Sequence, residues 1–137
     1  MKSKVSKAQY ELLAAFRYAL RRFLHFSETA ASAAGITPQH HQALLAIKGF
    51  PGRDHVTVGE LAERLQLRHH SAVGLIDRLV ADNLVRRDPS PQDHRQVIVS
   101  LTGYGESVLE KLSELHRTQL RTLGPEIRGM LARLGKL

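Results

Sequence analysis

A mainly helical fold with one small β-hairpin is predicted by three features of this 137-residue chain. Apolar residues recur at helical spacing near both ends, two short helical patterns in the middle are separated by a brief turn, and two β-branched runs flank a proline-containing polar loop. The length suits one functional unit with a modest core and leaves little room for a separate catalytic domain.

The first helix is predicted from about Ser6 to Ala34, where Leu13, Phe16, Leu20, Phe23 and Leu24 form an apolar face with Arg17, Arg21 and Arg22 interleaved. Gly35 supplies its stop. Thr37-Pro38 then reads as N-cap and first-turn proline of a second helix reaching about Lys48, which Gly49-Phe50-Pro51-Gly52 ends. Thr57 and Glu60 have capping-box spacing, so a short third helix begins near Val58 and turns Leu61, Ala62 and Leu65 inward. Gln66-Leu67-Arg68 leads into a fourth helix from about His69 to Asp82, with Ala72, Leu75, Ile76 and Leu79 as its buried stripe. Two short helices joined so tightly make a helix-turn-helix.

Downstream, residues 84–87 and 96–101 read as the strands of the hairpin, with the loop 88–95 at its tip. Thr102 can cap a further helix whose apolar face is Val108, Leu109, Leu112, Leu115, Leu120 and Leu123, and Gly124-Pro125 is expected to start a last one.

Composition narrows the function. Twenty Lys and Arg against thirteen Asp and Glu give a formal charge of +7, which favours polyanionic partners such as nucleic acid or an acidic membrane surface. The absence of Cys excludes a disulfide framework, a thiolate zinc site and thiol redox switching, and a reducing cytoplasm is expected. The basic Met1-Lys2-Ser3-Lys4 start is not followed by a signal-peptide apolar core, and no stretch approaches a membrane span, so no membrane partner is expected.

From about Thr37 to Gly105 the segments Leu61-Ala-Glu-Arg-Leu65, Leu75-Ile-Asp-Arg-Leu79, Leu84-Val-Arg-Arg87, Asp93-His-Arg95 and Val99-Ser-Leu-Thr102 occur in the order and spacing that resemble the MarR family of bacterial winged-helix regulators. The resemblance implies a single unit over 1–137, with a winged helix-turn-helix at 37–102 flanked by dimerisation helices at 6–34 and 103–137. It implies a homodimer on an inverted-repeat operator in double-stranded DNA, a repressor role, and control by a small aromatic or phenolic effector bound in a cleft that Tyr18, Phe26 and Phe50 could line. No cofactor is implied.

On the fourth helix, the side opposite the buried stripe carries His70, Val73, Gly74, Asp77 and Arg78, with Ser71 beside it. His70 and Ser71 fall in the first turn, where recognition helices contact base edges or phosphate, while Val73 and Gly74 suit methyl contact and close approach. Arg68 is a poor capping residue, and with His69 it stands at the helix start. In the loop, Asp93 is near enough to orient Arg95, with His94 between them, for a narrow minor groove. Arg86 and Arg87 alternate across a strand, so at most one is expected to face phosphate.

Other readings compete. Ser71, His70 and Asp77 could suggest a hydrolase triad, but they point in different directions from one helix and no nucleophile elbow is present, so no enzyme is expected. His25, His40, His41 and His116 raise a zinc-responsive regulator, weighed against ordinary histidines because no His-x-x-x-His pair shares a helix; no metal site is expected. A winged helix used purely for protein interaction is the third alternative.

Overall fold

A computed structural model describes residues 4–136; Met1, Lys2 and Ser3 of the basic start, and Leu137, lie outside the described residues. Among the described residues the order is α1 (Lys7–Ala33), α2 (Pro38–Lys48), β1 (His55–Thr57), α3 (Val58–Leu65), α4 (His69–Ala81), β2 (Val85–Pro89), β3 (Val97–Leu101) and α5 (Gly103–Leu134). The chain divides into two compact units. One runs from Ala31 to Leu112, and the other joins the chain up to Ala30 with the chain from Ser113 onward.

Local chemistry sets the winged unit's boundaries. α1 stops where Gly35 takes φ +83°, a left-handed conformation that costs glycine little. Thr37 accepts the His40 N–H at 3.0 Å to open α2. Thr57 accepts the Glu60 N–H at 3.2 Å while Glu60 Oε1 accepts the Thr57 N–H at 2.8 Å, completing the expected capping box. Between α3 and α4 the chain turns through Gln66 at φ 55°, and the Leu67 N–H closes onto the Ala62 carbonyl at 2.8 Å.

The sheet has three antiparallel strands in the order β1-β3-β2, one more than the hairpin expected from sequence. β1 pairs Val56 with Val99, and β2 pairs Val85 with Leu101 and Pro89 with Val97. Three residues show no alternation that a sequence pattern could register, and β1 exists because β3 offers an edge and Val56 is fully buried against the core. Leu44, Ile47, Leu61, Leu75, Ile76, Leu79, Leu84 and Val99 complete that core, and the α4 stripe is the one expected. Thr102 caps α5 by accepting the Gly105 N–H at 3.0 Å. A Cβ on Gly105 would lie 2.0 Å from the Leu84 carbonyl oxygen, so this approach of the helix to the chain just ahead of β2 requires glycine.

In the helix pair, Ala19, Leu123 and Met130 are buried, with Leu12, Ala15, Phe16, Phe23 and Ile127 packed around them. The expectation that Gly124-Pro125 begins a new helix is wrong: α5 runs through Pro125 without a break. Proline removes a hydrogen bond and costs about 3 kcal/mol in a helix interior. Here Leu123 on one side of Pro125 and Ile127 and Met130 on the other all pack on the same cluster, and that burial holds the helix through the defect. Pro125 and Arg121 are exposed, so the carbonyl left without its partner can reach water.

Candidate nucleic-acid interface

α4 presents the face that its periodicity predicts. His69, His70, Ser71, Val73, Asp77 and Arg78 are exposed and Gly74 is half-buried. The helix begins at His69 with Arg68 in extended conformation at the N-cap, and no side chain caps it among the described residues. Its first-turn N–H groups therefore face outward with the positive end of the helix dipole. Val73 keeps 37% of its surface exposed in a helix whose Leu75, Ile76 and Leu79 are buried. A Cβ on Gly74 would meet only Arg78 Nη1, at 3.6 Å, so nothing within the chain demands glycine there.

The loop between β2 and β3 is built to hold one cation. Asp93 Oδ1 accepts both the Arg95 backbone N–H at 3.0 Å and the Arg95 Nε–H at 3.2 Å, although the Arg95 side chain is 92% exposed. The loop is closed beneath it by the Ser90 N–H to the Gln96 carbonyl at 2.8 Å and the Gln96 N–H to the Asp93 carbonyl at 2.9 Å. His94 stands exposed between the pair.

The strand arginines take other partners. Arg87 donates to the Asp77 carboxylate, tying β2 to α4, and Arg86 Nε lies 3.2 Å from Asp88 Oδ2. Asp77, placed by sequence on the outward face of α4, is thus engaged by the sheet. That pairing is non-local, and only the alternation of Arg86 and Arg87 hinted at it.

Sequence reading overlooked a second basic cluster. The Arg53 guanidinium carbon lies 4.4 Å and that of Arg64 4.9 Å from the centroid of the Phe50 ring. Arg53 also donates to Glu60. Burial pushes the Glu60 carboxyl up, but the Thr57 N–H, Arg53 and the Thr57 hydroxyl together hold it below the usual carboxylate range.

The histidines have ordinary surroundings. His40 and His41 are buried on α2, and His40 Nδ1 is 3.9 Å from Asp82 Oδ2. Burial lowers the His40 pKa, Asp82 opposes the shift and Arg78 adds to it. In the helix pair, His116 meets the rings of Phe23 and Phe26 edge-on and is 2.9 Å from Ser27 Oγ. Among the described residues, no group of three or more His, Cys, Asp or Glu is placed to hold a metal ion. The aromatic residues suggested for an effector cleft have separate neighbours: Phe50 has its two arginines, Tyr18 has Arg22 over its ring at 5.5 Å, and Phe26 has His116. No helix among the described residues is long and apolar enough to cross a membrane.

Comparison with known proteins points one way. A family model described as "MarR family" matches residues 34–96. The transcriptional activatory protein BadR of Rhodopseudomonas palustris is 32% identical over 98 residues, covering 71% of this chain and 56% of that protein. The chain spans about half the length of the curated relatives it matches. A MarR family protein from Bacillus stearothermophilus superposes with a TM-score of 0.78 at 23% identity over 98% of this chain and 95% of that one. A mutant MarR from E. coli, complexed with operator DNA, gives 0.67 at 24% identity over 98% and 97%. These structures share the winged-helix fold. The family model lies on the helix-turn-helix and the wing loop, so residues 34–96 of this chain match the MarR family.

Proposed function

We propose that this protein is a transcriptional regulator that binds duplex DNA sequence-specifically as a homodimer, inserting α4 into the major groove and the β2–β3 loop into the adjacent minor groove. The observation that carries the reading is the Asp93–Arg95 hook: an arginine almost wholly exposed yet fixed through its Nε–H. An exposed arginine with no ligand gains little from such restraint, whereas a planar cation already oriented loses less entropy on entering a narrow groove. His70, Ser71, Val73 and Gly74 form the base-reading face. Arg68, His69 and the uncapped N–H groups of α4 take phosphate, and Arg78 follows along the helix.

Support for the dimer comes from Leu13, Leu20, Leu24, Leu115, Leu120 and Leu131 of the helix pair, all exposed in the single chain. A two-fold interface would cover them and set the two recognition helices one helical turn apart on an inverted repeat. The relatives' names support regulation of transcription, and the E. coli MarR complex supports operator DNA as the partner. A repressor role, a cytoplasmic location and a non-enzymatic function belong to the same reading, and the Asp77 carboxylate, engaged by Arg87, is not placed to serve a Ser71–His70–Asp77 triad.

Effector control fits a hollow of ≈ 600 Å³ in the helix pair, where Phe26 offers an apolar wall and Arg21, Arg22 and His25 offer positive charge to a small aromatic anion. The deciding experiment is selection of binding sites from randomised duplex DNA. An inverted repeat should emerge, with Ser71→Ala and His70→Ala shifting base preference more than non-specific affinity. Absence of any enriched sequence would refute the reading.

A further inference from the structure

The geometry points to Arg64, stacked on Phe50, as a phosphate-backbone contact on the first helix of the helix-turn-helix, outside the α4 and loop residues assigned above. This inference rests on the DNA-binding reading and extends its footprint.

Two guanidinium groups share the Phe50 ring, at 4.4 Å for Arg53 and 4.9 Å for Arg64. Their charges are treated differently. Glu60 accepts from Arg53 with one carboxylate oxygen and from the Thr57 N–H with the other. Arg64, one helical turn beyond Glu60, would be the ordinary i,i+4 partner of that carboxylate. The Glu60 carboxylate is instead held toward Arg53 and the Thr57 N–H, and Arg64 makes no ion pair among the described residues. The result is a side chain restrained by its stack on an aromatic face whose charge no carboxylate pairs among the described residues, which leaves its planar fork open to an external anion.

The position favours DNA phosphate as that anion. Arg64 lies in the last turn of α3, just ahead of the Gln66-Leu67-Arg68 turn and the uncapped start of α4. In a helix-turn-helix the first helix crosses the DNA backbone while the second enters the groove. Arg64, Arg68 and the first-turn N–H groups of α4 then form one phosphate-binding edge, and the planar fork of a pre-stacked arginine matches two phosphate oxygens. Phe50 acts as a positioning residue for that fork.

The test measures binding of the full chain to a selected operator duplex and to a random duplex of equal length across a salt series. Arg64→Gln keeps much of the stem over the ring and removes the charge. It should weaken both complexes by a similar factor, roughly fivefold or more, and lower the magnitude of the log-affinity slope against log salt by about one. Phe50→Leu keeps the charge and removes the stack, so it should cost less affinity and leave the slope unchanged. Melting temperature and solution mass of each variant establish that it remains folded. Arg64→Gln with the parent's affinity and slope on both duplexes would overturn the assignment, and a lowered melting temperature alone would make Arg64 only a cover for Phe50. Failure of the parent to bind either duplex would overturn the DNA-binding reading itself.

Discussion

The unit from Ala31 to Leu112 closes its own core, whereas the pair of helices made by the two ends of the chain does not. In the first, α2, α3, α4 and the sheet surround Leu44, Ile47, Leu75 and Leu79 so completely that each is essentially inaccessible. In the second, only Ala19, Leu123 and Met130 are buried among the described residues, while Leu24, Leu115 and Leu131 are each half exposed. Both regions show the same apolar periodicity in sequence. The difference teaches that amphipathicity tells which face of a helix seeks cover, and that covering it takes a second layer that the helix pair lacks within one chain.

The largest test of this contrast uses two leucines on one helix. Leu112 is 1% exposed and Leu120 is 42% exposed. From sequence the two look equivalent, as dimer-breaking sites on a single apolar face; the structure separates them. Leu112→Glu would bury a charge without a partner and should destabilise the fold by about 3–5 kcal/mol, visible in thermal unfolding. Leu120→Glu should leave the fold intact and halve the light-scattering mass at micromolar concentration. An unmodified protein that already has the mass of one chain would break the dimer half of the comparison.

Arg95→Ala comes next. It should weaken operator binding by roughly 1–3 kcal/mol and reduce the salt slope by about one, with folding nearly unchanged. Arg95→Lys should recover only part of the loss because it lacks the fork. Operator binding equal to the parent's in a folded Arg95→Ala dimer would remove the loop from the interface.

Gly74→Ala sharpens the role of α4. A Cβ there meets nothing nearer than Arg78 Nη1 at 3.6 Å, so the substitution should stabilise the protein by about 1 kcal/mol in denaturant unfolding. Operator affinity should nevertheless fall, since a methyl group would stand where close approach to DNA is proposed. A gain in both stability and affinity would exclude that role.

The smallest effect concerns His40, whose folded pKa is held below its ordinary value of about 6.5 by burial. The unfolded chain therefore takes up a proton first as pH falls. Stability contributed by the neutral ring is present above pH about 6.5 and is lost as pH drops from there toward the lowered folded pKa. The depressed Glu60 carboxyl adds a separate loss at lower pH, through the carboxylate range. His40→Gln should flatten the unfolding free energy over the first window only, and an unchanged profile would mean that His40 does not set it.

Much of this was legible in sequence because it is local. Thr37, Thr57 and Thr102 cap the helices that their spacing announces, and the α4 stripe and the Asp93–Arg95 pair depend on residues close along the chain. What escaped was set by distant partners. β1 needs the edge of β3, α5 continues through Pro125 because of packing on α1, and the Arg87–Asp77 and Arg64–Phe50 pairs join separate elements. Sequence spacing carries no record of which arginine meets which ring.

Thr57 ends β1 and caps α3 at once, so the outer strand and the helix-turn-helix meet with no spacer between them. The junction works as a mechanical weld. An engineer could lengthen the β2–β3 loop to extend its reach, but a residue inserted between Thr57 and Val58 would force the chain to give up either the strand register or the helix cap. Among descendants of this sequence, insertions and deletions should therefore gather in the loop and spare the weld.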